Sequence, residues 1–335
     1  MELQTLAEYL EGSFHGDPHH QISGVAAPAE AGTHDLIFVE DRAYVDQACS
    51  TKAGVILSSR EILGAVAESN RNLIFVANVR LAFARAASLI LASAPRVALI
   101  HPTAVIDPSA QLGPEVFVGA NAYIGPKVVI GRGCTIGPGC VLLSDVVLGE
   151  DCELVARVTI YPKTTIGRRA VVHAGAVLGG EGFGFVRDPD TGQYHKFPQI
   201  GSLVIGDDFE IGANSTIDRG ALAATKIGNG VKLDNLVHLG HNVEVGDNVV
   251  IAAQTGVSGS SVIERNCIIG GQVGIGDHAR IEEGAILGSG SGVLTKKVVR
   301  GKGVVFWGRP ARPLAEYLKE LAVVSRLARK KGSND

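Results

Sequence analysis

An aliphatic residue recurs at every sixth position along most of this chain. The series runs from Ile100 to Leu178 and over Ile205 to Ile217, slips by four residues, and continues from Ile227 to Val305. A spacing of six fits no helical turn, but it suits a short strand and a tight turn repeated along a solenoid. With three repeats per coil, the 31 positions predict a mainly β chain that forms a parallel β-helix of about ten coils.

The fourth residue after each aliphatic position is usually small, which suits a tight corner beside a filled interior. Four of the five cysteines occupy this place. They are Cys134, Cys140, Cys152 and Cys267. We therefore interpret them as small buried apolar residues rather than nucleophiles or metal ligands. An odd number of cysteines also argues against a disulfide framework.

The flanks and one interruption lack the repeat. Residues 1–98 combine helical and strand-like stretches and predict a small N-terminal α/β domain, followed by a β-helix domain over 99–308. Residues 179–203 are rich in glycine and include two prolines, so they predict a loop outside the coil, of a length that usually serves a function. Residues 309–335 predict a C-terminal helix with apolar residues at helical spacing.

The charge balance excludes one class of function. Lys and Arg number 31 against 34 Asp and Glu, which argues against binding nucleic acid through bulk charge. The N-terminus shows no basic start followed by an apolar stretch, and no apolar run approaches the ~18 residues of a spanning helix. We therefore expect a cytoplasmic protein.

Two histidines stand out inside the repeat, His238 and His241. His241 follows the inward Leu239 by two residues and should face outward. Since one coil is three repeats, Gly259 should lie directly over His241 and let a substrate carbonyl approach a backbone N–H. His278 follows after two coils and one residue and should lie on the same edge. Histidine suits general-base chemistry near neutral pH.

A metal site is the rival interpretation of these histidines. A catalytic zinc ion would need three protein ligands, and His238, His241 and His278 supply three imidazoles. However, His238 precedes Leu239 by one residue and His241 follows it by two, so the two side chains leave the repeat at different places. No metal is expected.

Several stretches in this order carry a resemblance that covers nearly the whole chain: LIFVEDRAY, GFGF, KFPQIG, FEIGANSTIDRGAL, IGNGVKLDN, HNVEVGDN and IIGGQVGIGDH. The chain resembles the UDP-3-O-(3-hydroxyacyl)glucosamine N-acyltransferases of lipid A biosynthesis, a family of hexapeptide-repeat acyltransferases. The resemblance implies a left-handed coil, a homotrimer, and transfer of a 3-hydroxyacyl chain from acyl carrier protein to the 2-amine of UDP-3-O-acyl-glucosamine. It implies no cofactor beyond the phosphopantetheine that carries the acyl chain.

The resemblance also assigns roles to residues of the β-helix. It makes His241 the general base and gives Gly259 the backbone N–H of an oxyanion site. It lets His278 hold substrate or phosphopantetheine. Asp234 and Asn235 match positions that contact the glucosamine, although a role in the turn is the alternative for both.

In the N-terminal domain, the resemblance concerns the uridine. Phe38 and Tyr44 match an aromatic pair that stacks on uracil, and the alternative is two core aromatics. Between them this chain has Asp41 and Arg42 where the family usually has Asn-Pro, which puts in doubt the contact of that Asn amide with the uracil.

His238, in the β-helix, is grouped with the substrate-binding residues or, alternatively, is a surface histidine.

The C-terminal segment is rich in cations. They are Arg309, Arg312, Lys319, Arg326, Arg329, Lys330 and Lys331. Such a cluster favours an acidic protein partner, here acyl carrier protein, and a solvated surface is the alternative. Peripheral contact with the inner membrane is left open.

Two other functions stay open. One is acylation of a hydroxyl on a UDP-amino sugar, although the related O-acyltransferase lacks such an N-terminal domain. The other is a non-catalytic scaffold, which would have no need of a histidine among polar residues. For the acyl chain, the stretch LGSGSGVL at 287–294 predicts a roomy channel past Gly292, with Leu294 as the candidate stop.

Overall fold

The computed structural model describes residues 1–63, 71–91, 98–303, 305–306 and 314–331. The chain divides into two compact units, Met1–Pro95 and Arg96–Asp335. The second unit begins just before the first aliphatic residue of the repeat, Ile100. Within the range predicted as a C-terminal helix, the helix spans Leu314–Lys331, and residues 309–313 and 332–335 lie outside the described residues.

The N-terminal unit is an α/β sheet with helices on both sides. Its strands are Ser13–His15, Gly24–Val25, Asp35–Phe38, Val55–Ser58 and Asn72–Phe75, and the first pairs antiparallel with the last while the other pairs are parallel. Its helices are Leu3–Tyr9, Val45–Ser50, Arg60–Leu63 and Val79–Ile90, with a 3-10 turn at Arg42–Tyr44. Two separate clusters of buried aliphatic side chains cover the two faces of the sheet. The predicted α/β character of this segment is confirmed.

The second unit is a parallel β-helix with three sheets. Sheet I consists of Val105–Ile106, Tyr123–Ile124, Val141–Leu142, Thr159–Ile160, Val177–Gly180, Thr216–Asp218, His238–Leu239, Gly256–Val257, Gly274–Ile275 and Gly292–Val293. Sheet II consists of Gln111–Leu112, Val129–Ile130, Val147–Leu148, Thr164–Ile166, Ser202–Ile205, Ala224–Ile227, Glu244–Val245, Val262–Ile263, Arg280–Ile281 and Val298–Val299. Sheet III consists of Leu99–Ile100, Phe117–Val118, Thr135–Ile136, Glu153–Leu154, Val171–Val172, Glu210–Ile211, Lys232–Leu233, Val250–Ile251, Ile268–Ile269, Ile286–Leu287 and Val305–Phe306.

The register of the three sheets confirms the predicted repeat. Each inward residue pairs with the one a full coil away, as Ile124 does with Leu142, and the sheets hold 10, 10 and 11 strands. The inward side chains form one continuous buried core. The four cysteines at corner positions are also buried there and unpaired, as predicted. The left-handed sense of the coil stays a prediction of the resemblance.

The turns between strands share one backbone conformation. The third residue after the inward position adopts a positive φ in many coils, as in Asn242 at 58° and His278 at 55°. This region costs an ordinary L-residue roughly 1–2 kcal/mol, which explains why Asn, Asp and Gly are frequent there. The backbone N–H of this residue then bonds the preceding coil, as from Ser260 to the His241 carbonyl at 2.8 Å.

The predicted loop over 179–203 leaves the coil and is itself structured. It forms a two-stranded antiparallel hairpin, Phe185–Arg187 with Tyr194–Lys196, which the sequence did not predict. Arg219 fixes the start of the loop, since its Nε donates to the Gly179 carbonyl at 2.7 Å and its backbone N–H to the Gly180 carbonyl at 2.9 Å. The loop therefore departs from sheet I at a defined place.

Candidate active site

A cleft of about 610 Å³ opens over the outer surface of sheet I. It is lined by Phe183, Asp218, His238, Gly240, His241, Gly256, Val257, Ser258, Gly259, Gly274, Ile275, Gly276, Asp277 and Val293. Three of the residues predicted from the sequence, His238, His241 and Gly259, thus share one cleft.

Gly259 lies against the imidazole of His241, as the repeat predicts. A Cβ built on Gly259 would meet His241 Nε2 at 2.7 Å and Cε1 at 2.8 Å. Such contacts are too short for a real side chain, so His241 keeps this position only because residue 259 is glycine. No described residue accepts a hydrogen bond from Gly259 N–H, which leaves this donor available to a ligand beside the imidazole.

The half-buried ring of His241 is held by its neighbour. Asn242 Oδ1 accepts a hydrogen bond from Ala221 N–H at 2.9 Å, so the amide nitrogen of Asn242 faces His241 Nδ1 at 3.2 Å. In this arrangement Nδ1 accepts, and a neutral ring carries its hydrogen on Nε2. The amide of Asn242 therefore holds the ring in place and favours the tautomer with its hydrogen on Nε2.

The loop at 179–203 packs on the other side of His241. A Cβ on Gly182 would meet His241 Cβ at 2.7 Å and the buried Gln199 Oε1 at 3.0 Å. Phe183, the next residue, lines the cleft with 86% of its surface exposed. Sequence reasoning identified the loop as functional by length but assigned none of these residues. The closely spaced glycines of GGEGFGF were the available signal.

Asp218 is the cleft residue that sequence reasoning missed. It is only 9% exposed, and its Oδ2 lies 3.7 Å from His238 Nε2. His238 Nδ1 in turn lies 2.8 Å from Thr216 Oγ1. Burial raises the pKa of Asp218 to about 7 and lowers the pKa of His238 from its usual value. The cleft therefore contains a carboxyl group that titrates near neutral pH.

His278 lies on the edge that the repeat predicts, at the border of the cleft. The residue stacked one coil above Gly259 is Asp277, which lines the cleft, whereas His278 is exposed and is absent from the lining residues described. His278 Nδ1 lies 2.6 Å from Asp277 Oδ2. His278 is on the predicted edge, but in this structure its imidazole borders the cleft without entering it.

A strip of glycine runs along sheet I beyond the histidines. Gly256, Gly274 and Gly292 occupy outward positions on successive strands, and a Cβ on any of them would meet nothing within 4 Å. Val293 lines both this cleft and a second one of about 520 Å³, which also includes Gly292 and Leu294. Among the described residues, nothing covers the surface at Gly292, and the acyl channel along it stays a prediction.

Asp234 and Asn235 line a different cleft, of about 620 Å³, with residues of sheet III. They precede His241 by one repeat and so lie one corner away around the prism. Asp234 Oδ1 accepts from Asn235 N–H at 2.7 Å, and Asn235 Oδ1 accepts from Ala213 N–H at 2.6 Å. Within one chain, these two residues serve the turns and do not join His241.

Phe38 and Tyr44 line a cavity of about 410 Å³ in the N-terminal unit. Tyr44 is 60% exposed and Phe38 is 36% exposed, so neither is a core aromatic. Asp41 caps the turn between them by accepting from Ala43 N–H at 2.9 Å. Arg42 donates to the Glu61 carbonyl at 3.0 Å. Asp41 and Arg42, the two residues that differ from the usual Asn-Pro, thus form hydrogen bonds within the N-terminal unit.

Among the described residues, no group of three or more His, Cys, Asp or Glu side chains is arranged to hold a metal ion. In the same part of the chain, no helix is both long and apolar enough to cross a membrane.

Comparison with known proteins defines the class. The family model described as bacterial transferase hexapeptide (six repeats) matches residues 109–144, 127–161 and 224–259. The model described as UDP-3-O-(3-hydroxymyristoyl) glucosamine N-acyltransferase, LpxD, matches residues 19–89. The chain is thus a hexapeptide-repeat transferase, and its N-terminal unit is the segment that matches the more specific model.

Relatives cover most of the chain. The UDP-3-O-acylglucosamine N-acyltransferase of Pseudomonas fluorescens (strain Pf0-1) is 49% identical over 78% of this chain and 73% of its own length. The protein of the same name from Coxiella burnetii (strain RSA 493) is 41% identical over 77% and 75%. The chain belongs to the UDP-3-O-acylglucosamine N-acyltransferase family and is an acyltransferase, which confirms the resemblance seen in the motifs.

Among solved structures, UDP-N-acetylglucosamine acyltransferase from Campylobacter jejuni matches with a TM-score of 0.46. The match has 24% identity and covers 60% of this chain and 69% of that one. The strand pairing of the three sheets itself defines the β-helix.

Proposed function

We propose that this enzyme transfers a 3-hydroxyacyl chain from acyl carrier protein to the 2-amine of UDP-3-O-acyl-glucosamine in lipid A biosynthesis. The observation that carries the proposal is the contact between His241 and Gly259, which puts a base and a free backbone N–H side by side in an open cleft. The reaction takes place in the cytoplasm and needs no cofactor beyond the carrier's phosphopantetheine.

In this proposal, the thioester carbonyl lies against Gly259 N–H and the amine lies next to His241 Nε2. The amine attacks the carbonyl carbon, the oxyanion is stabilised by the N–H, and His241 takes a proton from nitrogen and returns it to the departing sulfur. Nε2 accepts only when the ring hydrogen is on Nδ1. The amide of Asn242 must therefore release Nδ1 when the acceptor binds.

The acceptor's uridine is assigned to the cavity of Phe38 and Tyr44, because exposed flat rings stack on nucleobases. Its glucosamine is assigned to Asp234 and Asn235. These residues lie one corner away from His241 in a single chain, so this assignment requires a second copy to bring its own corner to the His241 cleft. A cyclic homotrimer places each corner against a neighbour's face. Light scattering should give the trimer mass at micromolar concentration, and a monomer mass would contradict the arrangement.

The acyl carrier is assigned to the C-terminal helix. Arg326 is exposed in the middle of this helix, and further cations follow it in the sequence. Reversing Arg326, Arg329 and Lys330 to Glu should raise the KM for acyl carrier protein, increasingly so at low salt, and spare the KM for the UDP-sugar. A change confined to the UDP-sugar constant would assign the helix another role.

Product analysis tests the function itself. The purified protein should acylate UDP-3-O-acyl-glucosamine on nitrogen when supplied with 3-hydroxyacyl carrier protein, and it should leave the N-acetylated acceptor untouched. Acylation of a hydroxyl on the N-acetylated sugar would identify an O-acyltransferase. No transfer to either acceptor, with both substrates shown to bind, would favour a scaffold.

A further inference from the structure

Transfer to an amine requires two protons to leave the nitrogen. An amino sugar arrives near neutral pH largely as the ammonium ion, which has no lone pair for attack. It loses one proton before attack and a second during it. His241 passes its proton to the sulfur of the leaving group, so it accounts for one of the two. The first proton needs another acceptor in the same cleft.

Asp218 supplies a carboxyl group in the same cleft. Its carboxyl group lines the cleft together with His241, although nine-tenths of the residue is buried. No described residue donates a hydrogen bond to the carboxyl, and His238 Nε2 lies 3.7 Å from its Oδ2, beyond hydrogen-bond distance. A buried carboxyl without a hydrogen-bond donor is costly, and it indicates a site for a ligand that brings a donor or a positive charge.

The charged groups near Asp218 have other partners or are neutral, so they leave its carboxyl group available to a ligand. His238 is the nearest, and burial favours its neutral form by lowering its pKa. Arg219, the next residue along the chain, donates its Nε to the Gly179 carbonyl at 2.7 Å. Asp277 also faces the cleft and is engaged with His278 Nδ1 at 2.6 Å. His241 is held by Asn242. None of these groups forms a fixed ion pair with the carboxyl.

We propose that Asp218 binds the acceptor's ammonium group and takes its first proton, leaving the second to His241. The inference rests on the function proposed above and adds a catalytic residue to it. The ammonium N–H bond breaks, its electron pair stays on nitrogen, and the carboxylate becomes a carboxylic acid. The neutral amine then forms the N–C bond as the C–S bond breaks, and His241 carries the second proton to sulfur. Asp218 finally releases its proton to water.

The pH dependence of Asp218→Asn tests this role, because the amide keeps the shape and cannot take a proton. At pH 7, where a carboxyl group with a pKa of about 7 is about half ionised and the amine still arrives largely as the ammonium ion, kcat/KM for the acceptor should fall by roughly 10²-fold, in the range typical of a lost acid–base group. The loss should shrink to less than about tenfold near pH 9, where the amine arrives uncharged. Glu244→Gln removes an exposed carboxylate on sheet II and should keep a wild-type profile.

A second measurement does not depend on turnover. Calorimetry should show that the wild-type protein binds UDP-glucosamine more tightly than UDP-glucose at neutral pH, and that Asp218→Asn loses this preference. A loss of activity equal at all pH values, or an unchanged preference, would overturn the role of Asp218 while leaving the proposed function standing. If the wild-type protein acylates no amine, the proposed function and this inference both fall.

Discussion

The two halves of sheet I share one interior and differ on the outside. In the first coils the outward positions hold Val105, Tyr123, Val141, Thr159 and Val177. In the later coils they hold Thr216, His238, Gly256, Gly274 and Gly292. The inward neighbours are aliphatic throughout, and all of them except the partly buried Ile106 are buried. The different outward residues therefore leave strand pairing and core packing unchanged, and they alter only the surface of the cleft.

The turn beside sheet I differs in the same way. Two residues after the inward position, the first half has Pro126 and Ser144, whereas the second half has His241 and Gly259. The comparison teaches that the repeat sets the backbone and that function depends on outward side chains added to it or removed from it.

The largest effect is expected at His241. His241→Ala removes the proposed base and should lower kcat by roughly 10²-fold or more without unfolding the chain. Ser144→Ala changes the corresponding turn position in the first half and should leave kcat within a factor of two or so. Steady-state kinetics on both variants, with thermal melts to check folding, make the comparison. Near-normal turnover in a folded His241→Ala protein would refute the assignment.

A smaller loss of kcat is expected when Gly259, beside the His241 ring, is given a side chain. Gly259→Ala adds a Cβ where only 2.7 Å separates it from His241 Nε2, so the ring must move and kcat should fall by about tenfold or more. Gly271→Ala occupies the equivalent turn of sheet III, where the nearest atom would be at 3.2 Å, and should cost much less. Equal losses in the two variants would mean that the effect is a general one on the coil.

Chain-length selectivity should respond to the glycine strip. Gly292→Met places a long side chain on an open surface, so kcat/KM for long 3-hydroxyacyl chains should fall several-fold relative to short ones, in line with about 1–3 kcal/mol per methylene. Val141→Met makes the matching change in the first half and should leave the profile unaltered. A Gly292→Met enzyme with the wild-type length profile would show that the chain takes another path.

The smallest effect concerns stability. The folded-state pKa of Asp218 is raised to about 7 from an ordinary value of 3.8. The stabilising effect of the protonated carboxyl is therefore complete below the unfolded value and is lost as pH rises through about 7. Compared with wild type, Asp218→Asn should gain a few degrees in Tm at pH 8 and little at pH 5. A Tm difference that does not change with pH would argue against a buried ionisation.

The sequence predicted the coil because every repeat places its aliphatic residue in the same environment. The same periodicity put Gly259 against His241 and the cysteines in the core. It could not identify Asp218 or Gly182. Gly182 lies in the 179–203 loop, whose path no repeat specifies. Asp218 follows the inward Ile217 in the strand Thr216–Asp218, and the periodicity alone does not distinguish a buried carboxyl group there from an ordinary turn residue.

The repeat also did not predict the surroundings of His278 or of Asp234 and Asn235. His278 was expected on the edge of the site, and its contact with Asp277 keeps the imidazole outside the cleft lining. Asp234 and Asn235 were expected near the acceptor, yet a single chain places them in another cleft. The proposed trimer brings them to the His241 cleft of another copy, an arrangement that the periodicity of one chain does not specify. The uracil-binding role of Phe38 and Tyr44 remains a prediction.

A crystal structure with the N-acylated product bound tests the central claim most directly. The account predicts that the new amide lies over the second half of sheet I. Its carbonyl oxygen should lie within about 3 Å of Gly259 N and its nitrogen next to His241 Nε2, with the added chain running past Gly292. A product whose amide lies on another face, or over the first half of sheet I, would contradict it.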